Sequence, residues 1–128
     1  MTDHEQIWPS RTYRYHVGCG KAYITVDYNK DGSIKRVCLQ RNSKMKCPMT
    51  ALDALSRQAT YEARRDIKQA IKDLVGVDKQ GKVIPCEEYS IAVKTQGKKG
   101  HLWAYSCQDA VAKVLLAESR RTPLAARV

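Results

Sequence analysis

The sequence predicts an α+β domain in which a small antiparallel β-sheet packs against two or three helices. Three observations carry this expectation. Residues 21–28 alternate strictly, with Ala22, Ile24, Val26 and Tyr28 on one face and Lys21, Tyr23, Thr25 and Asp27 on the other, the pattern of a half-buried strand. Asn29-Lys30-Asp31-Gly32 then reads as a hairpin turn, and residues 33–40 as the returning strand. Beyond Cys47-Pro48 the period changes: Leu52, Leu55 and Ala59 recur at helical spacing. A chain of 128 residues with 43% hydrophobic side chains can bury one core. It is too short for a large barrel or a complete Rossmann enzyme.

Taken in order, residues 1–10 form an N-terminal arm, with Trp8-Pro9 packing back on the body. Residues 12–17 make a short strand. Gly18-Cys19-Gly20 is a turn whose two glycines expose the Cys19 thiol without crowding. The two strands already described follow, then a polar loop over residues 41–46. Pro48 suits the first position of a helix. A second helix opens at Asp66, with Gln69 three residues later in a capping-box spacing. Its apolar stripe is Ile67, Ile71, Leu74 and Val75, and Gly76 ends it. Between Arg57 and Arg65 the pattern leaves open whether the two helices are one. Residues 77–100 are rich in Gly and Lys, with a strand expected at 89–94 and a basic loop at Gly97-Lys98-Lys99-Gly100. A last helix starts at Ser106, with Asp109 three positions on, and buries Val111, Val114 and Leu115. Residues 11–119 thus form a single domain, and residues 120–128 a basic C-terminal tail.

The chain carries 23 Lys and Arg against 13 Asp and Glu, a formal net charge of +10. Such a surplus attracts polyanions or an acidic partner protein. Residues 41–72 hold eight basic and three acidic side chains, which makes the middle third the electrostatic face. No apolar run is long enough to cross a membrane, and the polar N-terminus does not resemble a signal peptide. A soluble, cytoplasmic protein with no membrane partner is expected.

Five cysteines, Cys19, Cys38, Cys47, Cys86 and Cys107, are many for such a chain. Without a signal peptide, metal binding or redox chemistry is favoured over a disulfide frame, although no C-x-x-C pair is present. Cys47 and Cys107 each open an amphipathic helix, with a leucine eight residues later (Leu55 and Leu115), like related halves of one site. A helix N-terminus favours thiolate, so both thiols are expected to fall below the free value of roughly 8.5. Cys19 on its glycine turn and Cys86 after Pro85 sit on irregular backbone. Four such thiols can close a tetrahedral zinc site with Zn–S distances of about 2.3 Å; four buried thiols in a reducing compartment remain the equal alternative. Cys38, between Val37 and Leu39, reads as a small core hydrophobe. His16 is a further conceivable ligand, though a surface or hydrogen-bonded role suits it better. No nucleophile–base arrangement, phosphate loop or carboxylate pair stands out, so no catalysis is expected.

Together these motifs resemble the TSCPD domain family, found at the C-terminal end of many vitamin-B12-dependent ribonucleotide reductases and also as short free-standing proteins. The resemblance runs over about residues 17–118. It is carried by Gly18-Cys19-Gly20-Lys21-Ala22-Tyr23-Ile24-Thr25-Val26, by Lys46-Cys47-Pro48, by Ile84-Pro85-Cys86, and by Ser106-Cys107-Gln108-Asp109-Ala110-Val111-Ala112. It implies an α+β domain whose four cysteines, here Cys19, Cys47, Cys86 and Cys107, form a zinc site; Cys38 has no counterpart. The family's Thr and Pro around the last cysteine are Tyr105 and Gln108 here, the stretch from Gly76 to Cys86 is longer, and the segment from Glu87 to His101 is expanded and basic. No reductase barrel fits in this chain.

Three functions follow as expectations. The first is a zinc-stabilised accessory module without chemistry of its own, docking on a ribonucleotide reductase or another acidic protein partner in nucleotide or DNA metabolism. The second is binding of DNA or RNA through Arg41, Lys44, Lys46, Arg64, Arg65, Lys68, Lys72, Lys98 and Lys99, with tyrosines available for stacking. The third is a thiol redox relay using a pair such as Cys47 and Cys107.

Overall fold

The computed structural model describes residues 9–40, 47–96 and 104–121. Three antiparallel strands, β1 (Ser10–Val17), β2 (Gly20–Tyr28) and β3 (Ile34–Gln40), form one sheet in the order β1-β2-β3. Four helices follow: α1 (Met49–Arg65), α2 (Ile67–Leu74), α3 (Glu87–Gln96) and α4 (Cys107–Ser119). The fold is α+β, as the sequence predicts, with one helix more than expected.

The alternation of β2 sets the inner face. Ala22, Ile24, Val26 and Tyr28 are buried together with Val17, Val37 and Leu39 from the neighbouring strands. Asn29-Lys30-Asp31-Gly32 makes the expected turn: Asp31 accepts from the Ser33 amide at 2.9 Å, and Gly32 takes φ +88°. Against this face lies α4, buried on several sides through Val111, Val114 and Leu115. It packs against β1 and β2 on one flank and α2 on the other. A helix whose central run, residues 110–117, is apolar but for Lys113 belongs in the middle of a fold.

The outer edge of β3 is closed by α1 rather than by another strand. Ser56 Oγ accepts from the Leu39 amide and Thr60 Oγ1 from the Val37 amide, each at 2.9 Å. Two helical hydroxyls thus satisfy ladder groups that would otherwise be orphaned on an open edge. Near the end of α1, Asp66 settles what the sequence left open. Its extended backbone (φ −159°, ψ 100°) breaks the helix, and its carboxylate caps α2 by accepting from the Lys68 and Gln69 amides. The two helices are separate, and α1 runs unbroken through residues 57–65.

Residues 89–94 were expected as a strand and lie instead within α3. Glu87 and Glu88 occupy its first turn, where carboxylates meet the positive end of the helix dipole. A strand would have put Tyr89 and Ile91 on one face; the helix separates them, burying Tyr89 and leaving Ile91 exposed. Tyr89 packs with Cys86 and Tyr105 in a small satellite cluster. Cys38 also departs from expectation. It lies outside the main core, half-buried, on the face of β3 opposite Val37 and Leu39. No helix among the described residues is long and apolar enough to cross a membrane.

Candidate metal centre

Four separate segments bring a cysteine to one cleft of about 910 Å³, lined among others by Cys19, Cys47, Cys86 and Cys107. Cys19 sits at the tip of the β1–β2 turn, where Val17 pairs with Gly20 and Gly20 adopts φ +126°. Gly18, beside it, lies so close to α3 that an added Cβ would stand 2.1 Å from the Glu88 carbonyl carbon and the Tyr89 amide nitrogen. The cysteine turn is thereby pressed onto the start of α3. Cys86 precedes that helix, its amide donating to the Tyr105 carbonyl at 2.9 Å, and this ties it to the segment entering α4.

Cys107 is the first residue of α4, behind the N-cap Ser106, whose hydroxyl accepts from the Asp109 amide at 3.0 Å. The next residue, Gln108, donates to the Leu74 carbonyl at 2.6 Å and fixes this end of α4 on α2. Cys47 lies just before Pro48, the N-cap of α1. The echo between the two helices is therefore one of place, since Cys107 is inside its helix and Cys47 outside. Cys47 is exposed, while the other three are half-buried.

The thiols feel one another. Burial, then the charges of Cys19, Cys47 and Cys86, push the Cys107 thiol up to about 12. Cys47 is also raised, by burial first and then by Cys19, Cys86 and Glu88. This reverses the sequence expectation of thiolates favoured by helix N-termini: desolvation and neighbouring like charge outweigh the dipole. The cleft is also singular in charge. Among the described residues no Lys or Arg lines it, whereas Glu87 and Glu88 do, in a chain of net charge +10. That environment favours a cation. No group of three or more Cys, His, Asp or Glu among the described residues is drawn together as a ready-made metal site. The donor set nevertheless fits a soft divalent ion, because four thiols share the cleft and the charge that opposes their ionisation is the charge such an ion would neutralise. Cys38 and His16 do not line it.

A family model for the TSCPD domain matches residues 4–118, nearly the whole chain. The chain belongs to the TSCPD domain family. The match begins thirteen residues before Val17 and so takes in all of β1, further than the resemblance in the sequence reached. No curated protein and no solved structure matches the chain. Membership suggests a module associated with ribonucleotide reductases, and the four cysteines on which the resemblance in the sequence rests all line the cleft.

The basic residues divide differently. In this TSCPD domain Arg64 and Arg65 line a cavity of about 700 Å³ between α1 and β3. Lys68 and Lys72 are exposed on α2 and line neither that cavity nor the cleft. Arg41, Lys44, Lys46, Lys98 and Lys99 lie outside the described residues. Arg36 and Arg57, which the sequence reading passed over, join Arg64 and Arg65. For Arg57 the signal was its helical spacing with Tyr61, Arg64 and Arg65 on one face of α1, whereas Arg36 lies on β3.

Proposed function

We propose that this TSCPD domain is a non-catalytic, zinc-stabilised accessory module that docks on a ribonucleotide reductase or another acidic protein in nucleotide or DNA metabolism. The observation that carries the reading is that Cys19, Cys47, Cys86 and Cys107, from four segments far apart in sequence, line one cleft that no described Lys or Arg lines. Zinc held by these four thiolates would supply a cross-link between the β1–β2 turn and the starts of α1, α3 and α4. A chain of this size gains much from such a clamp, since its hydrophobic core is modest.

A thiol redox relay is less well supported. It needs a readily ionised, accessible thiol, and both Cys47 and Cys107 are shifted towards the protonated form. The test is the metal content of protein purified without a histidine tag, beside a Cys107→Ser variant. One zinc per chain, lost in the variant together with thermal stability, supports the module. A metal-free, folded protein with fast-reacting thiols would overturn it and favour the relay. With zinc established, pull-down with purified ribonucleotide reductase tests the docking step.

A further inference from the structure

Two cavities bordered by α1 and separate from the thiol cleft share a single wall residue, Arg64. The first, of about 700 Å³, runs between α1 and β3 and is lined by Arg36, Arg57, Arg64 and Arg65. The second, of about 390 Å³, is lined by Arg11, Arg64 and Arg121. Six guanidinium groups therefore line the two neighbouring cavities against two carboxylates, Asp53 and Glu118. Glu118 is committed inward. Its side chain is 6% exposed, it accepts hydrogen bonds from the Tyr13 and Tyr28 hydroxyls, and Arg11 stands 3.6 Å away. It acts as a buried post that holds Arg11 and Arg121 at the cavity wall. Asp53 pairs with Arg57, and Arg36 with Asp27; Arg64 forms no ion pair with another described residue.

We propose that these two cavities form one binding track for single-stranded nucleic acid. This goes beyond the zinc-module reading and does not depend on it. Three features select the ligand. The positive charge is strung along a path instead of converging on one point, as a chain of phosphates requires and a small anion does not. It is carried on this path by arginine, whose planar fork grips phosphate oxygens in pairs. In the larger cavity, Tyr61 is 62% exposed, with the Arg65 guanidinium 5.4 Å from its ring centre. An exposed ring beside guanidinium groups is a stacking platform for an unpaired base. A duplex, with its bases already stacked, leaves that ring without a partner, and an acidic peptide has no base to offer it.

The test is fluorescence anisotropy with labelled oligo-dT and oligo-U of about 12 nucleotides, and a duplex of the same length, at salt concentrations between about 50 and 200 mM. Tight binding should favour the single strands over the duplex, and the ratio of the dT and U affinities assigns DNA or RNA. Arg64→Ala, an exposed change to a good helix former, should weaken binding by about tenfold and flatten the salt slope. Tyr61→Ala should weaken it by about fivefold or more with the slope unchanged, as loss of a stacked base does. A double change of Lys79→Ala and Lys82→Ala, exposed and remote from the track, should leave affinity within about twofold. The proposal is overturned if neither single strand binds, if the duplex binds as tightly, if the lysine control weakens binding as much as Arg64→Ala, or if polyglutamate competes as well as the oligonucleotides.

Discussion

A methyl group added at Gly18 would stand 2.1 Å from backbone atoms of Glu88 and Tyr89, so no side-chain rotation can relieve it. Gly18→Ala should therefore cost roughly 1–3 kcal/mol of stability and lift the Cys19 turn off α3. Urea denaturation and zinc titration of the variant check both effects, and an unchanged midpoint would mean that the turn is not pressed onto the helix. The thiols make a second prediction at this scale. In metal-free protein the Cys107 thiol is held at about 12 by burial and by its three neighbours, while an unfolded chain ionises a thiol near ~8.5. Below that pH both states keep the proton and stability is unaffected. Above it the unfolded chain releases its proton first, so stability falls as pH rises towards the folded value. Tyr13 and Tyr28, raised by burial and by Glu118, add to the decline at pH above ~10. Urea midpoints in chelator across the alkaline range should fall steadily, and fall less for Cys107→Ser. The sequence located these thiols but gave the wrong direction for Cys47 and Cys107. A helix start is visible in a sequence; the burial and the three approaching cysteines are products of tertiary structure. The error at Cys38 was avoidable, since its neighbours Val37 and Leu39 take the core face and alternation sends Cys38 to the other.

Among the elements, α1 borders both the thiol cleft and the arginine-lined cavities. One face buries Leu52, Ala59 and Ala63, and its Ser56 and Thr60 hydroxyls close the edge of β3. Ser56→Ala should leave the Leu39 amide without its acceptor, at a cost of roughly 1–3 kcal/mol. Faster hydrogen exchange at Leu39 in the variant is the direct readout, and unchanged exchange would show that another group closes the edge. Strands β2 and β3 with their turn were legible because period-2 alternation and turn residues are local signals. So were the starts of α2 and α4, since Asp66 and Ser106 cap within three residues. Helix α3 was not legible. Its Tyr89, Ile91 and Val93 mimic a strand, and what decides for helix is tertiary: no free strand edge is offered at β3, and Tyr89 finds its partners in Cys86 and Tyr105. The arginine path was legible only in part, because Arg36 and Arg121 reach it from β3 and the end of α4, far from the basic middle third that composition singled out.

Across the whole molecule, charge is sorted along α1, a helix of 17 residues and so about 25 Å long. The thiol cleft near its N-terminal end has carboxylates but no described Lys or Arg, and the arginines line separate cavities along residues 53–65 and beyond its C-terminus. A chain of net charge +10 thus keeps one cleft clear of described Lys and Arg while others are lined by arginine. One segment of the cleft stands apart from the main core: α3 belongs to the small cluster of Tyr89, Cys86 and Tyr105, whereas Cys19 and Cys107 pack against the main core. A metal bound there would fasten that satellite to the sheet and to α4. The most direct measurement is a count of reactive thiols in the untagged, zinc-loaded protein before and after strong chelation. A four-thiolate centre leaves Cys38 as the one thiol free to react, and removal of the metal releases the other four. Five thiols reacting alike before chelation, with no zinc released, would contradict it.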